Sequence, residues 1–116
     1  MLPPGAPGRI LVVEDPAIRS FLRVLLTKQG YLIAHADADR AVEMIRLDEQ
    51  PDLLITDVPD AFLEFADRLP LLYTTTCPDL HVAKKFPAFQ VLIKPFKQAD
   101  LLAAVKTLCT RAPAAR

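Results

Sequence analysis

The chain has 116 residues, 52% of them hydrophobic, and its fourteen Lys and Arg balance its fourteen Asp and Glu. That length fits one domain with a single modest core, and the apolar content argues against disorder. A net charge of zero argues against general affinity for nucleic acid, which needs clustered positive charge.

Residues 9–13 read as the first strand. A helix follows over 17–29, with Ile18, Phe21, Leu22 and Leu25 at i, i+3, i+4 and i+7 on one stripe. Pro16 suits its first turn, Asp15 can cap it, and Gly30 is placed to end it. Tyr31–Ala36 reads as a second strand. Asp37 or Asp39 can cap the next helix, whose stripe is Ala38, Ala41, Val42 and Ile45. Pro51 closes that connection, and 52–57 is the third strand.

Residues 71–75 read as the fourth strand, so only 58–70 lie between it and the third. A crossover with its helix needs at least about 10–12 residues. At most two turns of helix therefore fit near Ala61–Arg68, with Phe62, Phe65 and Leu69 as the buried face. Residues 76–89 hold at most a short helix through Asp79–Lys85, ended by Pro87. A fifth strand, 90–93, leads to Lys94-Pro95, which invites a cis turn. The last helix covers 99–109, with Leu101 or Leu102, Val105 and Leu108 on its face. Residues 1–8 and 111–116 read as tails around a domain of 9–110. Met1–Gly8 is too rich in proline for a signal peptide. No apolar run is long enough to span a bilayer, and Cys77 and Cys109 form neither a disulfide framework nor a metal spacing. A soluble protein with reduced thiols in the cytoplasm is the simplest reading.

Three strands end in charged residues. Ile10-Leu11-Val12-Val13 runs into Glu14-Asp15, Leu53-Leu54-Ile55-Thr56 into Asp57, and Val91-Leu92-Ile93 into Lys94. In an open α/β sheet, ligands bind beyond the carboxyl ends of the strands. Right-handed crossovers and one switch of winding direction set strand 1 beside strand 3, and hence Asp15 beside Asp57. Carboxylates and an ammonium gathered there would suit a hard cation and a phosphoryl group.

An acidic pair after strand 1, an Asp after strand 3, a Thr after strand 4 and Lys-Pro after strand 5 stand here as Glu14-Asp15, Asp57, Thr75 and Lys94-Pro95. In this order the chain resembles the receiver domains of bacterial two-component response regulators over about residues 9–110. The resemblance implies a flavodoxin-like, doubly wound five-stranded parallel sheet of order 2-1-3-4-5. It implies that Asp57 accepts a phosphoryl group from a histidine kinase or phosphotransfer protein. It also implies that Asp15, Asp57 and the backbone carbonyl of Pro59 ligate Mg²⁺, with Glu14 acting through water. Lys94 would pair with the phosphoryl oxygens and Thr75 would donate its hydroxyl to them. The chain departs from the family pattern in a first loop one residue shorter, in reduced helices after strands 3 and 4, and in Val91 where strand 5 carries an aromatic. These departures resemble a divergent group of single-domain receivers.

Plainer readings stand beside each role. Asp57 could cap a helix, Asp15 could do both jobs, and Glu14 could be solvated. One or two of Thr74, Thr75 and Thr76 are structural β-formers. His35 and His81 read as surface residues, the cysteines as inert, and most phenylalanines as core. For function, a stand-alone phospho-receiver signalling through protein contacts competes with a pseudo-receiver that binds partners without regulated phosphorylation. A turnover enzyme is disfavoured because no Gly-rich phosphate loop follows strand 1. A short tail leaves open one domain of a longer chain, and a reduced helix layer leaves open a homodimer. Kinase, target and stimulus are not written in the sequence.

Overall fold

The sheet order follows from which apolar runs are covered on both faces. In the computed structural model, β1 (Arg9–Val13), β3 (Leu53–Thr56) and β4 (Leu71–Thr75) are buried along nearly their whole length. Parallel strands with helices on both faces require this. β2 (Leu32–His35) and β5 (Phe89–Ile93) flank the sheet and are more exposed. All five strands are parallel in the order β2-β1-β3-β4-β5, as the sequence predicts. The structure describes residues 8–47 and 50–114, with side chains through 109. Residues 1–7 and 115–116, parts of the two predicted tails, lie outside the described residues.

Strand alternation sorts the side chains into two cores. Leu11, Val13, Leu54, Leu71 and Tyr73 point to the face covered by α2 (Ala38–Arg46), a 3₁₀ segment (Pro59–Phe65) and α3 (Leu80–Ala83). Ile10, Val12, Leu53, Ile55 and Leu72 point to the face covered by α1 (Pro16–Lys28) and α4 (Gln98–Ala114). α4 contributes Leu101, Val105 and Leu108, as expected. Its backbone runs to Ala114, past the predicted end at 109 and into the stretch read as a tail.

The helix ends obey local chemistry. The Asp15 side chain accepts from the N–H groups of Ala17 and Ile18 at the start of α1, and Gly30 leaves that helix at φ 91°. Asp37, and not Asp39, caps α2 through the Arg40 N–H. The stripe of α1 is turned by one position from its prediction. Leu22, Leu25 and Leu26 are buried, whereas Phe21 is 44% exposed. The apolar arc of α1 is wider than the seam it covers, and the sheet takes the Leu26 side.

The short crossover from β3 to β4 is 3₁₀ and not the predicted α-helical turns. It consists of two short 3₁₀ turns that meet at a kink at Phe62 (φ −117°, ψ 18°), as suits a helix type that seldom runs beyond about four residues. Phe62, Phe65 and Leu69 are buried, as predicted. The Arg46 guanidinium holds the Glu64 carboxylate through two bonds of 2.6 and 3.0 Å, tying α2 to this segment at the surface. After β4 the chain makes only the four-residue α3, capped by the Asp79 side chain. The Lys94–Pro95 peptide is cis.

Candidate functional site

The site forms at the carboxyl ends of β1, β3, β4 and β5. Val13 pairs with Thr56 and Thr56 with Tyr73. One residue further, Glu14, Asp57 and Thr74 stand in one row across three adjoining strands. By alternation this row shares the face of Val12, Ile55 and Leu72. Lys94 lies two residues beyond Leu92, which belongs to the same face.

Lys94 is the centre of the arrangement. Its Nζ is 3.3 Å from Glu14 Oε1 and 3.8 Å from Asp57 Oδ2. The Glu14 side chain is fully buried, Lys94 is 18% exposed and Asp57 is 38% exposed. Charge therefore grades from a sealed floor to an open mouth. The second Glu14 oxygen accepts a hydrogen bond from the Thr74 hydroxyl, which is also fully buried. Burial pushes the Glu14 carboxyl above its ordinary 4.5; the Thr74 hydroxyl and the Lys94 ammonium pull it back, and the Asp57 charge pushes it up again.

Asp57 is not a helix cap. The 3₁₀ segment starts at Pro59 and no side chain caps it. The loop between them is shaped by the buried Thr56, whose hydroxyl accepts from the Val58 N–H at 3.0 Å. Asp57 is left at the strand end with its carboxylate half in solvent.

The remaining predicted residues are placed differently. Asp15 is exposed and its Oδ1 is engaged as the α1 cap, because α1 begins at the very next residue. Pro59 is buried at the start of the 3₁₀ segment. The Thr75 hydroxyl accepts from the Cys77 N–H at 3.1 Å, so it is held in a local turn beside the site. Glu14, read as solvated or as a water-mediated metal ligand, is instead engaged on both oxygens. Among the described residues no group of three or more His, Cys, Asp or Glu could hold a metal ion. Glu14, Asp15 and Asp57 thus do not form such a three-carboxylate group. Asp57 and Asp15 remain open to solvent, and Mg²⁺ keeps most of its waters and needs only one or two carboxylates. Both carboxylates could serve such a cation, and the Glu14 oxygens are taken by Thr74 and Lys94.

The sequence points to Thr75 at the site, and the structure also brings Thr74 to Glu14. The signal that separates them is parity: Thr74 shares the face of Leu72, and Thr75 that of Tyr73. Phe21, which the sequence places on the apolar stripe of α1, is exposed. It lines a groove of about 320 Å³ with Ile18, Thr76, Lys94, Pro95 and Phe96. The groove opens beside the ammonium that faces Asp57. His35 and His81 are exposed, as expected; of the two cysteines, Cys109 is buried and Cys77 is exposed. No described helix is long and apolar enough to cross a membrane.

No family model matches the chain. The transcriptional regulatory protein PdtaR of Mycobacterium tuberculosis is 33% identical over 122 residues, covering 92% of this chain and 59% of that protein. The chain spans little more than half the length of the curated relatives it matches. Among solved structures, the receiver domain of a signal transduction histidine kinase from Syntrophus aciditrophicus matches with a TM-score of 0.71 and 26% identity, over 90% of this chain and 91% of that one. The chemotaxis response regulator CheY4 of Vibrio cholerae matches with a TM-score of 0.74 and 22% identity, over 88% and 98%. With its strand order, the succession of Glu14, Asp57 and Lys94 along adjoining strand ends and these likenesses, the chain belongs to the response regulator receiver domains.

Proposed function

We propose that Asp57 accepts a phosphoryl group from a histidine kinase or a phosphotransfer protein, with the help of Mg²⁺. The domain would then signal by contact with a further protein. The observation that carries this reading is the Lys94 ammonium 3.8 Å from a half-exposed Asp57 carboxylate. The carboxylate is open to a donor, and the ammonium stands where transferred oxygens would need a cation. In the transfer an Asp57 oxygen attacks phosphorus in line. The O–P bond forms as the P–N bond to the donor imidazole breaks, and the imidazole nitrogen keeps the electron pair. Mg²⁺, held by Asp15, Asp57 and the Pro59 carbonyl, would offset the charge on the phosphoryl oxygens. Asp57 then carries a doubly charged group. Lys94 turns toward it, and the Thr75 hydroxyl leaves the Cys77 N–H to donate to it, which draws the end of β4 inward. The groove with Phe21 and Phe96 suits the apolar stripe of a partner helix bearing the phosphohistidine.

This is the chemistry of a cytoplasmic signalling module and not of a turnover enzyme. A second reading, the pseudo-receiver, is favoured by one observation: Asp15 is engaged as a helix cap, and Glu14 by Lys94 and Thr74. Phosphoryl uptake from phosphoramidate, read by intact mass with and without Mg²⁺, separates the two. A Mg²⁺-dependent adduct that Asp57→Asn abolishes supports the phosphoacceptor. No adduct at any Mg²⁺ concentration supports the pseudo-receiver.

A further inference from the structure

A hydroxyl with no access to water must find an acceptor. Thr74, fully buried in β4, finds a carboxylate. Its bond takes Oε2 of Glu14 and leaves Oε1 to face Lys94 at 3.3 Å. That choice has a geometric effect. A Glu side chain has three rotatable bonds and, unheld, could turn both oxygens onto the ammonium. It would then draw Lys94 down into the sheet and away from Asp57. With Oε2 held from the β4 side, the ammonium stays shared between Glu14 and Asp57. Every link sits on one face of the sheet, because Glu14 and Asp57, just past the ends of β1 and β3, stand level with Thr74 of β4 in one row. Thr75 cannot take this part: it faces the other way along β4 and its hydroxyl is bound to the Cys77 N–H.

We infer that Thr74 is a positioning residue for phosphoryl transfer to Asp57, acting through the Glu14 carboxylate to hold the Lys94 ammonium in place. The inference rests on the phosphoacceptor reading and adds to it a residue that touches no reacting atom. Glu14 becomes the anchor of the lysine.

The test uses the whole chain and phosphoramidate. In that reaction an Asp57 oxygen forms the O–P bond as the P–N bond breaks, and the protonated nitrogen leaves as ammonia. Thr74→Val keeps the shape and removes the hydroxyl, and Thr74→Ser restores it; Thr74→Ala replaces the valine variant should that one fail to fold. Two signals are followed, the rate of adduct formation at saturating Mg²⁺ and the ¹⁵N resonance of the Lys94 ammonium. A hydrogen bond to a charged group is worth about a factor of ten or more. The valine variant is therefore expected to lose about tenfold in maximal rate, with little change in half-saturating donor, and to lose the slowly exchanging Lys94 resonance. The serine variant is expected to recover both. A Thr74→Val protein that matches wild type in rate and keeps the resonance overturns the inference. A wild-type protein that takes up no phosphoryl group overturns the phosphoacceptor reading, and with it the role in transfer. The Lys94 resonance then still decides whether Thr74 sets the lysine.

Discussion

Glu14 and Lys94 form an ion pair in which the carboxylate is fully buried and the ammonium nearly so, 3.3 Å apart at the floor of the site. A buried charge is tolerated only while it is paired and hydrogen-bonded. Lys94 therefore has a structural duty beside its place at Asp57. Lys94→Met removes the partner and leaves Glu14 with the Thr74 hydroxyl alone. It is expected to cost about 3 kcal/mol at neutral pH, measured by urea unfolding. Restoring neutrality with Glu14→Gln in the same chain should recover part of that loss.

The pH dependence of stability should carry the mark of Glu14. Its carboxyl is raised above the ordinary 4.5, by burial before anything else. A group raised on folding binds its proton more tightly in the native state. Its contribution is present below the unfolded pKa and is lost as pH rises through the folded one. The stability of wild type relative to Glu14→Gln should therefore fall as pH rises from about 4.5, and level off once the native carboxyl is ionised. Unfolding curves of both proteins at several pH values check this; a difference that grows with pH would reverse the sign and remove the explanation.

Asp15 has two separable roles. As the cap of α1 its oxygen meets two backbone N–H groups, and Asp15→Ala should cost about 1 kcal/mol. Asparagine caps as well as aspartate but carries no charge. Asp15→Asn is expected to keep the melting temperature of wild type while weakening Mg²⁺ binding. Thermal melts and a Mg²⁺ titration, run on the same samples, tell the two roles apart.

The two thiols should differ sharply. Cys77 is exposed, whereas Cys109 is buried and its thiol is pushed up to about 12 by desolvation. Thiolate is the reactive form. A maleimide at neutral pH should add once to the native protein, at Cys77, and twice in denaturant. Peptide mapping of the labelled chain provides the check, and rapid native labelling of Cys109 would contradict the packing of α4.

The sequence by itself determined the elements and the order in which charged residues end the strands. Strand composition, the caps at Asp15 and Asp37, Gly30 and the brief crossovers around Phe62 and Phe65 are local features, set by backbone chemistry and by period. Asp57 and Lys94 were legible as strand-end residues for the same reason. Only the tertiary structure decided which neighbours meet. Whether Thr74 or Thr75 reaches Glu14 depends on the register of β1, β3 and β4, because one step along a strand moves a side chain to the other face. Whether Phe21 is core or groove depends on how α1 rolls on the sheet. Asp15 could serve a cap or a cation by its chemistry alone; the missing spacer before Pro16 gave the cap first claim on it.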